Sequence, residues 1–226
     1  MNQLVLPLRL ADHAVFASFY ARGNDAVVDA LQALAEGSSS HGCWLWGPRA
    51  AGKTHLLQAV CERAGDRAVF VPLALLAAAG PAVLDGLESR DLVCIDDIDK
   101  ALGDDHWETA LFGLCNRLAD SGGQLVIAAD AAPRESGIRL ADLASRLARL
   151  PVFHMHALDE EQRIAALRLR AQHRGLELPA DSARYLIKRS RRDMASLYEL
   201  LDKLDLEALR AQRKLTIPFV RDVLQL

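Results

Sequence analysis

One eight-residue segment constrains the fold of this chain more than any other feature of its sequence. Gly47-Pro48-Arg49-Ala50-Ala51-Gly52-Lys53-Thr54 matches the pattern G-x-x-x-x-G-K-[ST] at every fixed position. The short apolar run Cys43–Trp46 before it predicts a buried strand, and residues 53–63 after it predict an amphipathic helix. Strand, glycine loop and helix in this order cradle phosphate, because glycine lets the backbone wrap an anion and the N–H groups of the helix start face it.

The residue types of this loop also indicate its chemistry. Lys53 places a full positive charge near the outer phosphates of a bound nucleotide, and the hydroxyl of Thr54 can bind Mg²⁺. The predicted nucleotide-binding residues of the loop are Gly47, Pro48, Arg49, Ala50, Ala51, Gly52, Lys53 and Thr54. The alternative interpretation is a glycine-rich turn that precedes a helix by chance.

Length, composition and charge are those of an ordinary globular protein. The chain has 226 residues, of which 51% are hydrophobic and 25% charged, and its net charge is −3, so it lacks the strongly basic balance of a nucleic-acid-binding domain. Its four cysteines, Cys43, Cys61, Cys94 and Cys115, form no C-x-x-C pair, which predicts buried free thiols in a reducing compartment. The N-terminal residues lack a signal-peptide layout and no apolar run is long enough to span a membrane, so we expect a cytoplasmic protein.

Short β-type segments alternate with helical patterns between residues 43 and 155. Strands are predicted at Cys43–Trp46, Ala68–Pro72, Leu92–Asp96, 125–129 and 152–155. A helix is predicted at 108–119, where Asp105 and Glu108 resemble a capping box. Because strands that alternate with helices pair in parallel, the predicted fold class is α/β, with a mostly parallel sheet that helices cover on both faces.

The β-type pattern stops near residue 158, and helical patterns follow it. Helices are predicted at 160–172, 180–190, 194–210 and Ile217–Leu224, with Asp181 as an N-cap and with Pro179 and Pro218 at helix starts. We therefore predict three parts: an N-terminal tail at 1–15, an α/β nucleotide-binding core at 16–157 and a small all-helical domain at 158–226.

A second acidic motif follows the third predicted strand. Leu92–Asp96 is an apolar run that ends in Asp96, and Asp97 comes next. A buried strand that ends in aspartate brings that carboxylate beside the phosphate loop, where it can orient water on Mg²⁺. The next carboxylate, Asp97, is a candidate for polarising an attacking water molecule. Taken alone, the pattern also fits a solvated or helix-capping aspartate.

With both motifs and the helical C-terminal part, the chain resembles the AAA+ branch of the P-loop NTPases. The doubled aspartate is similar to that of the replication initiator DnaA and its relatives. Four segments narrow the resemblance to the Hda family, the regulatory inactivators of DnaA: Gln3-Leu4-Val5-Leu6-Pro7-Leu8, Phe16-Ala17-Ser18-Phe19-Tyr20, Asp142-Leu143-Ala144-Ser145-Arg146-Leu147 and Gln212-Arg213-Lys214-Leu215-Thr216-Ile217-Pro218-Phe219-Val220. DnaA itself carries a DNA-binding domain after its lid, for which a chain that ends at Leu226 leaves no room.

This resemblance implies a function as well as a fold. Members of the Hda family bind ADP, dock on the DNA-loaded sliding clamp, and promote hydrolysis of the ATP that DnaA holds, which prevents over-initiation. The implied cofactors are ADP or ATP and Mg²⁺. The implied partners are the DNA polymerase III sliding clamp (β subunit), DnaA and, through the clamp, DNA; a homo-oligomer is left open, and no membrane is expected.

The same resemblance assigns candidate site residues outside the two nucleotide motifs. The N-terminal peptide is similar to a clamp-binding peptide, with Gln3, Leu4, Leu6, Pro7 and Leu8 as the contacts. Its spacing alone favours the alternative, an amphipathic tail that packs on its own domain.

Arg146 corresponds to an arginine finger that is offered in trans to the γ-phosphate on another subunit. A surface or interdomain ion pair is the alternative role for this arginine. Tyr20 and Ala21 lie where the linker of relatives approaches adenine.

Two sensor positions depart from the AAA+ pattern. Asp130 is the polar candidate at the end of the fourth predicted strand, and Arg192 is the candidate for the second sensor because Ala195 stands where relatives have arginine. We therefore expect an activator of ATP hydrolysis on a partner rather than a strong ATPase. An alternative stays open because the chain retains the full set Lys53, Thr54, Asp96 and Asp97: a self-contained AAA+ ATPase, or an assembly factor similar to a helicase or clamp loader.

Overall fold

A five-stranded parallel sheet lies at the centre of the larger part of the molecule. The computed structural model describes residues 14–189, 194–211 and 213–224. Its strands are β1 (Cys43–Trp46), β2 (Ala68–Pro72), β3 (Leu92–Asp96), β4 (Gln124–Ala129) and β5 (Val152–His154), in the spatial order β2-β3-β4-β1-β5. Every pair of neighbouring strands is parallel. All five predicted strands are confirmed, with ends that differ from the prediction by at most one residue.

Helices connect the strands and then form a separate layer after β5. The core contains α1 (Asp25–Ala35), α2 (Lys53–Ala64), α3 (Leu73–Leu76), α4 (Asp105–Ser121) and α5 (Ala141–Leu147). The helical part contains α6 (Glu160–His173), α7 (Ala180–Arg189), α8 (Met194–Ala211) and α9 (Ile217–Leu224). Short 3₁₀ turns, among them Phe16–Ser18 and Ile98–Lys100, complete the connections. The four C-terminal helices occur where the sequence predicts them.

Three hydrophobic clusters hold these layers together. Successive residues of a buried strand point to opposite faces of the sheet, so Leu45 packs with α1 and α2 while its neighbour Trp44 packs with α4 and α5. The third cluster joins α6 to α9, with Leu167 and Leu201 fully buried in it. The four cysteines are free and buried, as predicted. The domain boundaries at 15/16 and 157/158 stay predictions.

Two of the predicted helix caps are wrong. Helix α4 begins at Asp105, and its N-cap is Asp104, whose carboxylate accepts the backbone N–H groups two and three residues further on, at 2.9 and 3.1 Å. Glu108 is 1% exposed and instead accepts backbone N–H groups from the segment before α5. Helix α7 begins at Ala180, which puts Asp181 inside the first turn rather than at the N-cap. The backbone geometry that selects one of several adjacent capping residues is not encoded in residue type alone.

The helical part docks on α2 through His55. The Nε2 atom of His55 lies 3.0 Å from the carbonyl oxygen of Val15, and its Nδ1 atom lies 3.5 Å from a guanidinium nitrogen of Arg170 on α6. Arg170 is 5% exposed and its guanidinium lies 4.0 Å from the ring centroid of Tyr198 on α8. In this arrangement Nε2 donates and Nδ1 accepts, which assigns the neutral imidazole. Burial lowers the pKa of His55 to about 4, and the hydrogen bond to Val15 only partly opposes this shift.

We predict that acid weakens this docking through His55. Its pKa falls from 6.5 to about 4 on folding, so the unfolded chain binds the proton more readily and the stabilisation is complete only above pH 6.5. As the pH is lowered from 6.5 to 4, His55 should reduce the free energy of unfolding by up to about 3 kcal/mol. His55→Gln cannot titrate and should flatten this part of the pH dependence, measured by urea unfolding between pH 7 and pH 4.5.

The exposed His173 provides the control. His173→Gln should keep the wild-type pH dependence. An unchanged pH dependence in His55→Gln would contradict the assignment of the buried neutral imidazole.

Candidate functional site

The glycine motif forms the loop between β1 and α2, at the carboxyl end of the sheet. Gly52 is the N-cap of α2 with a φ of 94°, and Gly47 has a φ of 151°. A Cβ at Gly52 would lie 2.6 Å from the ring of Phe19, and one at Gly47 would collide with the carbonyl oxygen of Met155. Both positions therefore require glycine for conformation and for space. The loop leaves the N-terminus of α2 as a ready anion-binding site.

Lys53 connects this loop to the end of β4. Its side chain is 8% exposed, and its ammonium donates to the carbonyl oxygen of Gly47 at 2.5 Å and lies 3.1 Å from the Asp130 carboxylate. Asp130 follows β4, and its backbone N–H donates to Asp99 at 2.9 Å. The loop lysine and the predicted first-sensor residue are thus in direct contact.

Asp96 ends β3 and faces Thr54. Asp96 is 2% exposed, its carboxylate accepts a hydrogen bond from the Thr54 hydroxyl, and its Oδ1 atom is buried without a hydrogen-bond partner among the described residues. Burial raises the pKa of Asp96 to about 6 against the effect of the Thr54 hydrogen bond, and the charge of Asp97 contributes to the rise. A buried carboxylate oxygen that lacks a partner, beside a threonine hydroxyl, is a set of donors that fits hydrated Mg²⁺.

Two residues other than glycine adopt left-handed backbone conformations, and both lie at this site. Ala50 in the glycine loop has a φ of 63°, and Asp97 has a φ of 53° where it leaves β3 and starts the turn Ile98–Lys100. Such conformations are uncommon for residues with a Cβ and tend to be retained at functional sites. Elsewhere in the described ranges, only glycines have positive φ.

The linker before α1 covers the loop with a residue that the sequence analysis did not assign to the site. Phe19 contacts Gly52, and its ring centroid lies 5.4 Å from that of His55. Tyr20 packs against the hydrophobic cluster of the helical part, and Ala21 packs against the cluster of α1 and α2. The aromatic run at 16–20 was the available signal for this contact, but spacing alone does not show which ring faces the loop.

Arg146 lies at the opposite end of the sheet from the glycine loop. It lines a cavity of about 250 Å³ together with residues that precede β1 and β5, among them Gly42 and Pro151. The glycine loop follows the other end of β1, and a four-residue strand spans roughly 13 Å. Arg146 therefore lies at the end of the sheet from which it cannot contact a phosphate in the chain's own loop.

Several predicted residues fall outside the part of the chain that the structure describes. These are the tail residues Gln3, Leu4, Leu6, Pro7 and Leu8 and the second-sensor candidate Arg192. Within the described ranges, no group of three or more His, Cys, Asp or Glu side chains is arranged to hold a metal ion. The helices in these ranges also include none that is long and apolar enough to cross a membrane.

Comparison with solved structures defines the class of the fold. Domain III of the replication initiation protein DnaA from Thermotoga maritima superposes with a TM-score of 0.75 at 22% sequence identity, over 95% of this chain and 96% of that one. AMPPCP-bound DnaA from Aquifex aeolicus gives a TM-score of 0.69 at 21% identity, over 89% and 68%. The RuvB Holliday junction branch migration motor of Thermotoga maritima gives 0.62 at 17% identity, over 90% and 68%. The fold is that of an AAA+ core followed by a helical lid, as predicted.

The helical part matches a narrower family model. Residues 159–224 match the model described as the lid domain of Hda. This similarity, together with the fold shared with DnaA domain III, agrees with the predicted resemblance.

We predict that Asp96 lowers the stability of the fold at neutral pH. Its pKa rises from 3.8 to about 6 on folding, so its stabilising contribution is present below pH 3.8 and is lost as the pH rises through 6. Asp96→Asn removes this charge and should increase the free energy of unfolding at pH 7 by about 1–3 kcal/mol. Urea unfolding in EDTA without added nucleotide measures this difference, which should vanish near pH 4.

The exposed Asp120 on α4 serves as the matched control, and Asp120→Asn should leave stability near the wild-type value. A loss of stability in Asp96→Asn at pH 7 would contradict the description of Asp96 as a buried, partly unpartnered carboxylate.

Proposed function

We propose that this protein regulates the initiation of chromosomal replication by binding an adenine nucleotide and promoting hydrolysis of the ATP that DnaA holds. The Hda-type lid and the DnaA-like fold support a relation to the initiator. The observation that carries the proposal is the position of Arg146 at the end of the sheet opposite to the glycine loop. A guanidinium that is remote from its own nucleotide site is available to a nucleotide on a neighbouring protein.

The nucleotide in this proposal is ADP or ATP, bound by residues 47–54. Lys53 is already held at the loop by Gly47 and Asp130, so a phosphate group would exchange with the Asp130 carboxylate for the ammonium. Thr54 and, through water, Asp96 would hold Mg²⁺, which neutralises phosphate charge when it is bound. The AMPPCP-bound DnaA structure, whose fold this chain shares, supports an adenine nucleotide.

Arg146 would act on the partner's ATP by electrostatics. Negative charge spreads over the γ-phosphate oxygens during hydrolysis, and a guanidinium placed beside them stabilises that charge. Arginine fingers that act in this way raise the rate by about 10³–10⁵. The chain's own nucleotide has a different part in this proposal, because it stabilises the core and the lid contacts around Phe19 and His55 rather than undergoing rapid turnover.

The N-terminal tail would bring the protein to DNA. We propose that residues 1–15 bind the β sliding clamp of DNA polymerase III through Gln3, Leu4, Leu6, Pro7 and Leu8. Support for this step comes from the sequence, since an extended peptide with spaced apolar anchors and one amide suits a groove with apolar pockets and a polar rim. Docking on a DNA-loaded clamp would raise the local concentration of the finger near DnaA on the same DNA.

A second candidate function is a self-contained AAA+ ATPase or a helicase-like or loader-like assembly factor. The contacts that favour it are those of Lys53 with Asp130 and of Thr54 with Asp96, which place the groups needed for hydrolysis in one site. Asp97, the water-polarising candidate, follows directly. Steady-state ATP turnover by the purified protein separates the two functions, because only the second requires turnover in the absence of DnaA and clamp.

We predict that the tail is the clamp anchor. Replacing Gln3 and Leu6 together with alanine removes the amide and one apolar anchor, and it should abolish co-elution with the sliding clamp while the melting temperature stays unchanged. A double variant at the lid residues Glu207, which is partly exposed, and Arg210, which is exposed, controls for a general loss of surface polarity, since the two side chains pair with each other. Unchanged clamp affinity after the Gln3 and Leu6 replacements would remove the assignment.

We predict that Arg146→Ala separates binding from activity. The variant should retain nucleotide affinity by calorimetry and clamp binding by gel filtration, because Arg146 lies at the opposite end of the sheet from the glycine loop and is not among the residues proposed to bind the clamp. It should lose at least about 10³-fold of the stimulated hydrolysis of DnaA-bound ATP. Arg149→Ala is the comparison variant, since Arg149 is exposed at the same cavity and its replacement should keep full stimulation if Arg146 is the finger.

A purely structural Arg146 would give the opposite pattern. Its replacement would lower the melting temperature, and activity would fall only in proportion to the folded fraction. Full stimulation by a well-folded Arg146→Ala protein would exclude Arg146 as the finger and move the search to Arg139 or Arg149.

A further inference from the structure

The side chain that holds Arg146 is an uncharged amide. A guanidinium nitrogen of Arg146 on α5 donates to the Oδ1 atom of Asn116 on α4 at 2.5 Å, and both residues are half-buried. Among the described residues, no carboxylate lies within ion-pair distance of Arg146. The next residue on α4, Arg117, is paired with the Glu88 carboxylate at 3.1 Å. Two adjacent residues of α4 thus differ in their partners: Arg117 is paired with a carboxylate, whereas Asn116 offers an amide to Arg146.

The difference between amide and carboxylate matters for an arginine that must bind phosphate. A guanidinium has five N–H donors in a fixed plane, and Asn116 uses one of them while leaving the positive charge uncompensated. A carboxylate at the same place would neutralise much of that charge and would compete with phosphate oxygens for the same donors. An amide therefore fixes the direction of the side chain and preserves its electrostatic effect.

Helix α4 also holds the start of α5. The buried Glu108 carboxylate accepts the backbone N–H of Arg139 at 2.9 Å and that of Leu140, the N-cap of α5, at 2.6 Å. Burial raises the pKa of Glu108, but hydrogen bonds from the N–H groups of Gly103 and these two residues outweigh it and lower the pKa. Glu108 and Asn116 are two turns apart on α4, roughly 12 Å. Helix α4 thus holds α5 at two points: the backbone N–H groups at its start and the guanidinium of Arg146.

We propose that Asn116 is a positioning residue for Arg146: it orients the guanidinium toward the partner's nucleotide without neutralising it, from a helix that Glu108 fixes to the start of α5. This inference rests on the proposed function, because Arg146 must act on the ATP of DnaA for its direction to matter. Misplacing a catalytic group by about 1 Å lowers rates by up to about 10²-fold. The effect of Asn116, which acts only through the position of Arg146, is therefore measurable.

The test compares Asn116→Ala and Asn116→Asp with wild type and with Arg146→Ala. All are assayed for hydrolysis of DnaA-bound ATP with DNA-loaded clamp, and for melting temperature. Asn116→Ala releases the guanidinium and should lower stimulation by on the order of tenfold. Asn116→Asp should also lower stimulation, because an ion pair competes with phosphate, yet its melting temperature should be equal to or above wild type. Asp120→Ala, exposed one turn further along α4, should change neither quantity.

The pairing of lower activity with undiminished stability in Asn116→Asp is the signature that a structural role would not give. If Arg146→Ala loses stimulation while either Asn116 variant keeps the wild-type value, this inference is wrong and the proposed function stands. If Arg146→Ala keeps full stimulation, the proposed function fails and this inference fails with it.

Discussion

All strands of the sheet run in the same direction, so the chain leaves β1, β3 and β4 at one end of the sheet and enters β1 and β5 at the other. At the carboxyl end, this direction brings the glycine loop, Asp96 and Asp130 close to Lys53 and Thr54. At the amino end, Arg146 lies beside the residues that precede β1 and β5. The separation of the glycine-loop end from the arginine-bearing end is therefore a consequence of topology. It holds whatever the detailed contacts of either end are.

The glycine-loop end contains features that lower the stability of the fold. Asp96 is a buried carboxylate with a raised pKa, its Oδ1 atom has no hydrogen-bond partner among the described residues, and Ala50 and Asp97 hold left-handed backbone conformations. Strain and buried charge of this kind persist when the surroundings over-determine them. Here the surroundings are two hydrophobic clusters, one on each face of the sheet, which fix β1 and β3 on either side of β4. A ligand that supplies positive charge to Asp96 would relieve part of this cost.

The arginine-bearing end differs, since the guanidinium of Arg146 donates a hydrogen bond to the Asn116 amide, which leaves its charge available. Asn116 and Glu108 both lie on α4, a 17-residue helix whose inner face is buried against the sheet. Because this helix is rigid and holds α5, the position of α5 is fixed relative to the core. A neighbouring nucleotide would then meet a guanidinium whose direction is set before binding, which reduces the entropy lost on association.

Much of the fold and part of the site could be predicted from the sequence because the relevant signals are local. The apolar strands and the C-terminal helices each occupy a short continuous segment and were confirmed, and the glycine motif lies between a strand and a helix as predicted. Contacts between segments that are far apart in the sequence could not be predicted in this way. The Lys53–Asp130 pair, the Arg146–Asn116 hydrogen bond and the Phe19 ring over Gly52 depend on how elements pack. The prediction of Asp105 rather than Asp104 as the cap of α4 was wrong for a related reason, since both positions carry aspartate and backbone geometry decides between them.

The central claim is that the arginine end acts on a nucleotide held by another protein. The most direct measurement loads DnaA with ATP labelled at the γ-phosphate, loads this protein with unlabelled ADP, and follows a single turnover in the presence of DNA-loaded clamp. The account predicts rapid release of labelled phosphate that depends on this protein, while its own ADP remains bound. Labelled ATP that stays on DnaA at the rate seen without this protein would contradict the claim.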